Sequence, residues 1–387
     1  MSKHIVPALL GLGALTCAAN SPYISKVYEY QPAPGQFVNE LPEFESGDTP
    51  ETILAKAGEQ LIGSKTPGMI TLGAFGGYVV FGFDHPVVNA PGEYDFKVYG
   101  NAIISDRDNK GGSSEPGIVW VSEDVNGNGL PDDPWYELAG SEYTKASTLK
   151  GLELTYYRPA ADKAADPDPE DKSVTDRTYI RWTSSDGTTG YVQRNVSHDQ
   201  SYWPEWLADQ AEISRTGTCV APNYTDVAGD GSYYLLQFLD WGYADNLPNS
   251  EDPGFKLDWA VKSDGTPANL AKADFIKVQT GINQTCGRLG ETSTEVSGAE
   301  DLHPDNTSAS IAAPGTDDDA ALVLLPSAPG TLQVRASADT PYALLSMNGA
   351  LLSAGTLSAG HNTLDTAHLP AGIYLLRTPT RTLKFPR

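Results

Sequence analysis

Gly76-Gly77-Tyr78-Val79-Val80-Phe81-Gly82-Phe83-Asp84 and Asp95-Phe96-Lys97-Val98-Tyr99-Gly100-Asn101 decide the fold of this chain. The first is a short apolar run between turn-forming glycines. The second alternates apolar with polar, so its side chains line opposite faces of a strand. Similar runs recur at residues 69–72, 118–122, 152–157, 178–182, 233–239, 255–261 and 275–279. Many short strands broken by turn signals predict a β-sandwich or jelly roll. One helix is predicted over residues 50–61, where Thr49 serves as its cap, Pro50 suits its first position and Glu51 its positive end. Residues 160–172, rich in Pro, Asp and Ala, read as an exposed excursion.

Composition supports an all-β, loop-rich protein. The 387 residues include 38 glycines and 28 prolines, and few stretches have helical periodicity. The formal net charge of -24 repels phosphate backbones, which argues against nucleic acid as a partner. Most of these carboxylates read as a solvated surface.

The N-terminus reads as an export signal spanning residues 1–19. Lys3 and His4 precede an apolar run at residues 5–15, too short to span a bilayer. Two cleavage sites compete. Ala14-Leu15-Thr16-Cys17 offers a loose lipobox, and Cys17-Ala18-Ala19 an ordinary signal-peptidase site. Cys219 and Cys286 remain after either cut. Both sit in loop-like contexts, and an oxidising compartment makes them a candidate disulfide, with two free buried thiols as the alternative.

Composition breaks near residue 304. Residues 304–319 read as a linker, dividing a body over 20–303 from a tail over 320–387. Beyond Pro314 the acids Asp317, Asp318, Asp319, Asp339 and Asp365 are matched by Arg335, Arg377, Arg381, Lys384 and Arg387. The tail is neutral, so the negative charge belongs to the body. Short alternating runs around Leu332, Tyr342 and Ile373, with turns at Asn348-Gly349, Ala359-Gly360 and Ala371-Gly372, predict a small Ig-like sandwich of about seven strands. Met347-Asn348-Gly349, Leu369-Pro370-Ala371-Gly372-Ile373-Tyr374-Leu375 and the ending Thr382-Leu383-Lys384-Phe385-Pro386-Arg387 resemble the C-terminal sorting domain of type IX secretion cargo of the Bacteroidetes. That resemblance implies recognition by the type IX machinery, passage across the outer membrane, and removal of the tail at the cell surface. It favours a plain signal peptide over lipidation at Cys17.

The sharpest chemical motif is Asp124-Val125-Asn126-Gly127-Asn128-Gly129-Leu130-Pro131-Asp132-Asp133. Side-chain oxygens at positions one, three, five and nine, with Gly at six, wrap a chain around a hard cation. Asp124, Asn126, Asn128 and Asp132 would offer side-chain oxygens to Ca²⁺, Leu130 its carbonyl, and Asp133 or Glu137 the last ligand. Trp135 stands where an EF-hand places a bidentate Glu, so the alternative is a metal-free Asn/Asp/Gly turn. Two further acidic groups, Asp106-Arg107-Asp108-Asn109 and Asp226 with Asp230-Gly231, read as solvated turns.

Aromatics gather at Tyr202-Trp203-Pro204-Glu205-Trp206 and Asp240-Trp241-Gly242-Tyr243-Ala244-Asp245-Asn246. Flat rings beside Asp and Asn suit a glycan or planar ligand, and core packing is the competing role. Gly242 and Pro248 set the second group on a loop, so Trp241, Tyr243, Asp245 and Asn246, with Trp203 and Trp206, are the candidate ligand residues. The sequence contains no GxSxG, HExxH, P-loop or Rossmann fingerprint. A carboxylate pair for glycoside hydrolysis stays open, but no pair stands out.

The two opening blocks, together with Glu115-Pro116-Gly117-Ile118-Val119-Trp120-Val121-Ser122 and Gly290-Glu291-Thr292-Ser293-Thr294-Glu295-Val296-Ser297-Gly298-Ala299-Glu300-Asp301-Leu302, resemble a group of cell-surface proteins of gut Bacteroidetes. The resemblance covers most of residues 22–303 and implies a β-sandwich body. Some members accompany outer-membrane uptake systems, including those for cobalamin. The expectation is a non-catalytic, Ca²⁺-stabilised surface protein that captures a glycan or a bulky nutrient such as a corrinoid, with an outer-membrane transporter as a possible partner. A carbohydrate-active hydrolase and a structural or adhesive envelope protein are the alternatives.

Overall fold

The computed structural model describes residues 20–90, 92–105, 110–305, 322–325, 331–346, 350–370, 373–378 and 382–386. The export signal, the Asp106–Asn109 cluster, most of the linker and the turns at Asn348-Gly349 and Ala371-Gly372 lie outside them. The protein is all-β, with 41% strand and 6% helix in several antiparallel sheets. The chain divides into two compact units, residues 1–308 and 309–387. No helix among the described residues is long and apolar enough to cross a membrane.

The body is built on a six-stranded antiparallel sheet. Its order is Lys26–Gln31, Tyr78–Gly82, Phe275–Thr280, Gly117–Ser122, Trp135–Leu138 and Ala260–Val261. The apolar run 78–82 lies one strand in from an edge, hydrogen-bonded on both sides. One face carries Val79, Phe81, Val119, Val121, Ile276 and Val278 into the main core. Phe96 and Val98 join that core from the strand Phe96–Tyr99, whose alternation puts Lys97 on the other side.

The helix Pro50–Leu61 covers part of this core. Ile53, Ala57 and Leu61 recur at four-residue spacing and are buried. Thr49 accepts from the Thr52 N–H at 3.4 Å, and the Thr52 hydroxyl accepts from the Thr49 N–H at 2.8 Å. This reciprocal cap satisfies two amides that the first turn leaves free.

A second sheet runs Thr189–Asn195, Val174–Ser184, Leu149–Tyr157 and Glu212–Cys219. Leu154, Tyr156, Ile180 and Ile213 from it pack with Phe75, Tyr202 and Trp203. The segment 255–261 departs from the strand expected there. Asp95 Oδ2 draws the Leu257 N–H to 2.6 Å, and Leu257–Trp259 closes into a 3₁₀ turn before the short strand Ala260–Val261.

The expected disulfide is not formed. Cys219 and Cys286 are both free and buried. Cys219 ends a strand inside the second core, with its thiol directed to the Val220 carbonyl at 3.6 Å. Cys286 precedes a separate 3₁₀ turn, Gly287–Leu289, and bonds to Thr292. Burial pushes both thiols up to about 12, which keeps them protonated and unreactive.

The C-terminal unit has seven described strands in two sheets. Leu322–Leu325, Thr331–Ala336 and Gly360–Asp365 form one sheet. Leu351–Leu357, Thr340–Ser346, Ile373–Arg377 and Thr382–Pro386 form the other. Leu332, Val334, Leu344, Leu357, Leu376 and Phe385 fill its core. This is a small β-sandwich with the three-plus-four strand count of an Ig-like module.

Candidate functional site

The loop around Trp241 presents an exposed indole at the surface of the body. Gly242 has φ +88, and a Cβ on it would lie 2.6 Å from Gly140 Cα, so only glycine permits this approach. The same segment holds two indoles. Ser141 N–H donates to the Trp241 carbonyl at 3.0 Å, and Ala139 N–H to the Trp259 carbonyl at 2.9 Å. The two indoles then meet at 4.7 Å between centroids, tilted by 45°, while Trp241 keeps 40% of its surface exposed. Tyr94 stands edge-on to Trp259 at 6.0 Å, with the Lys256 ammonium 4.6 Å over its ring. Asp240 and Asp258 flank the indoles in sequence and are exposed. The result is an apolar ledge with charged groups at its edge.

The remaining predicted ligand residues turn inward. Tyr243, Asp245, Asn246 and Trp203 are buried. The Tyr243 hydroxyl accepts from the Glu142 N–H at 2.8 Å. Asn246 ties its own loop together through the Leu239 N–H and carbonyl at 2.7 and 2.8 Å. Trp203 donates to the Leu207 carbonyl at 3.2 Å. Trp206 is half-buried against the main core, near Tyr30 at 6.3 Å and Phe44 at 6.4 Å. For these residues, satisfying buried polar groups and filling the core outweighs ligand contact. Trp259 and Tyr94 were not singled out in the sequence. They lie far from Trp241 along the chain, and no local pattern marks them.

Asp245 instead joins a buried carboxylate cluster. Its backbone sits at φ +51, a conformation that Asp adopts more readily than most residues. Oδ1 accepts from the Asn101 and Ala102 amides at 2.7 and 2.9 Å, and Oδ2 from the Glu295 amide at 2.9 Å. A Cβ at position 100 would collide with Oδ1, which explains Gly100. Carboxylate oxygens of Glu115, Asp245 and Glu295 all come within 4.8 Å of one another. Glu115 is half-buried overall, with its carboxyl end hydrogen-bonded to Glu295. Glu295 Oε1 also accepts from the Ser293 and Thr71 hydroxyls at 2.8 and 3.0 Å.

Burial drives Glu115 and Asp245 well above the usual carboxylate range, and the charge of Glu295 adds to both. Glu295 is raised by burial against the opposing bonds from Glu115, Ser293, Thr71 and Asn101. Three carboxylates this close cannot all ionise in a dry site, so they share protons or take up a cation. Neighbouring Glu291 is pushed up to about 8 by burial, against a bond from the Gln36 amide at 2.7 Å. The convergence of Glu115, Asp245 and Glu295 spans long chain separations, so no local pattern marks it.

The Asp124–Asp133 loop behaves oppositely. It is exposed, and Gly127 and Gly129 have φ near +70. The Asp124 carboxylate accepts from the Asn128 and Gly129 amides at 3.0 and 2.9 Å. Asn126 and Asn128 Oδ1 accept from the amides two residues on, at 3.0 and 2.8 Å. Both Asn side-chain amides donate to Asp132, at 2.9 and 3.0 Å. Asp133 Oδ2 accepts from the Val125 and Asn126 amides at 3.0 and 3.4 Å. The backbone thus curls around Asp124, Asn126, Asn128 and Asp132, a donor set of hard oxygens that fits Ca²⁺ chemistry. Leu130 is exposed at the turn of this curl.

No protein-family model matches the chain, and no curated protein matches it.

Proposed function

We propose that this chain is a non-catalytic cell-surface protein that captures a glycan or a bulky planar nutrient on the Trp241–Trp259–Tyr94 ledge. The carrying observation is the exposed indole of Trp241, fixed against Trp259 by backbone bonds from one segment. A rigid flat ring offers an apolar face to the C–H side of a sugar or to a macrocycle, with little entropy lost on binding. Asp240 and Asp258 at the edge supply orienting acceptors. Asp245 and Glu295 of the carboxylate cluster are buried, out of reach of a ligand on the surface, which favours binding over hydrolysis.

Ca²⁺ held by Asp124, Asn126, Asn128 and Asp132, with the Leu130 carbonyl and Asp133, would fasten the loop between strands Gly117–Ser122 and Trp135–Leu138 of the main sheet. The C-terminal sandwich would serve the type IX route to the surface, and delivery to an outer-membrane transporter would follow capture. The experiment is a screen of neutral glycans and corrinoids against the purified body and its Trp241→Ala variant. The expected result is a weakening of about tenfold or more for the captured ligand, about 1.4 kcal/mol. If every ligand that binds the native body binds the variant equally, the ledge is not the site.

A further inference from the structure

The second sheet carries a cavity unrelated to the ledge. It encloses about 360 Å³, within the range of small-molecule sites. The excursion over residues 160–172 forms one wall through Lys163; Arg158, Tyr179, Arg194 and Trp203 contribute to the rest, together with two carboxylates, Asp176 and Glu205. Basic residues are scarce in this chain, 26 against 50 acids, yet three of them meet here. Lys163 is neutralised by Asp176 at 2.7 Å. Arg158 and Arg194 have no ion pair among the described residues.

Arg194 is the telling residue. Its Nε–H is closed off behind the cavity wall and has no hydrogen-bond partner among the described residues, so a ligand would meet the outer nitrogens of the fork. Its guanidinium lies 5.3 Å over the Tyr179 ring. Arginine cannot shed its proton, and this half-buried guanidinium on the cavity wall has no ion pair among the described residues, so its remaining N–H groups can take an oxygen anion. The planar fork matches a carboxylate or sulfate, and Arg158 at the exposed rim would steer it in. The rings of Tyr179 and Trp203 give the cavity an apolar wall beside these charges.

We infer that this cavity is a binding site for the carboxylate or sulfate group of a small polar ligand, with an acidic saccharide as the class that suits both charges and rings. The charge-bearing group would sit on Arg194, with the ring of the ligand against the aromatic wall. The site is separate from the ledge and does not depend on it.

The test is calorimetric titration of the purified body with four probes: a glucuronate disaccharide, a sulfated disaccharide, a neutral disaccharide of the same size, and inorganic sulfate. Native protein should bind one or both acidic disaccharides at least tenfold more tightly than the neutral one, and more weakly as salt rises. Binding of sulfate alone would assign the site to a free oxyanion and overturn the saccharide assignment. Arg194→Gln should weaken acidic binding about tenfold or more. Arg158→Gln, at an exposed position that tolerates substitution, should slow association and weaken binding. Trp241→Ala should leave it intact. The inference fails if no acidic probe binds, or if both arginine variants bind as the native body does. It also fails if Trp241→Ala alone abolishes binding, since the acid would then sit on the ledge.

Discussion

The two acidic regions of the body use the same side chains to opposite ends. In the Asp124–Asp133 loop the carboxylates lie in water and collect amide donors. Asp132 is held below the usual range, first by Asn126 and then by Asn128. Around Asp245 the carboxylates lie in the core, and burial pushes each upward. Hydrogen-bond donors are plentiful in both places. Solvent access, not bonding, therefore decides the sign of the shift. A carboxylate in the loop is a charge waiting for a cation. In the core it is first a structural acceptor, as Asp245 is for backbone amides of two distant segments, Asn101-Ala102 and Glu295.

The largest expected effect separates these roles. Asp245→Ala leaves the amides of Asn101, Ala102 and Glu295 without acceptors in a closed site. Each orphaned buried donor costs about 1–3 kcal/mol, so urea unfolding should show a loss of about 3 kcal/mol or more. Asp245→Asn keeps Oδ1 for two of those amides and tolerates the positive φ, and should be milder. Asp132→Ala, measured the same way in EDTA, should lower the unfolding midpoint far less, because its Asn126 and Asn128 partners remain in water. Equal losses at Asp245 and Asp132 would break the distinction.

Much of the fold was legible because periodicity is a local signal. The apolar run at 78–82, the alternation at 96–99 and the capped helix at 50–61 each carry their own evidence. Strands such as Glu212–Cys219 were not, since Arg215, Thr216 and Gly217 hide the alternation. The site was legible only in part. Trp241 announced itself beside Gly242, but its partners Trp259 and Tyr94 are brought in by tertiary packing. Tyr243, Asp245 and Asn246 misled for a physical reason. Polar and aromatic residues on a loop serve equally well as ligand contacts or as internal fasteners, and only burial separates the two. Arg194 gave no sign at all, because a missing partner is a property of the assembled cavity.

Calcium probes the comparison next. At a free concentration one hundred times its dissociation constant, a cation that binds only the folded loop adds about 2.7 kcal/mol. Melting of the body should therefore rise with Ca²⁺ and fall in EDTA, and Asp124→Ala should abolish the difference. A Ca²⁺ response that survives Asp124→Ala and disappears in Glu295→Gln would move the cation from the loop to the core. No response in the native body would leave the loop as a hydrogen-bonded turn.

The smallest effect is the pH dependence of the calcium-free body, and its sign follows from the direction of the shifts. Glu291 titrates near 8 in the folded body, against an ordinary value of 4.5. Glu115, Asp245 and Glu295 are raised as well. Between these values the folded state holds protons that the unfolded chain has released. Stability from these groups is fully present below about pH 4.5 and is lost as pH rises towards 8, by at most about 1.4 kcal/mol per pH unit for each proton. Groups lowered in water, such as Asp132, act in the other direction, losing their contribution as pH falls below the ordinary carboxylate range. The two acidic regions thus pull in different pH windows. Denaturant unfolding in EDTA at pH 5, 6.5 and 8 should show a decline across that interval, and Glu291→Gln should flatten it by removing one titrating proton from the core. A flat or rising profile in the native body would mean that the core carboxylates are already ionised at pH 5, and that solvent access does not set their sign.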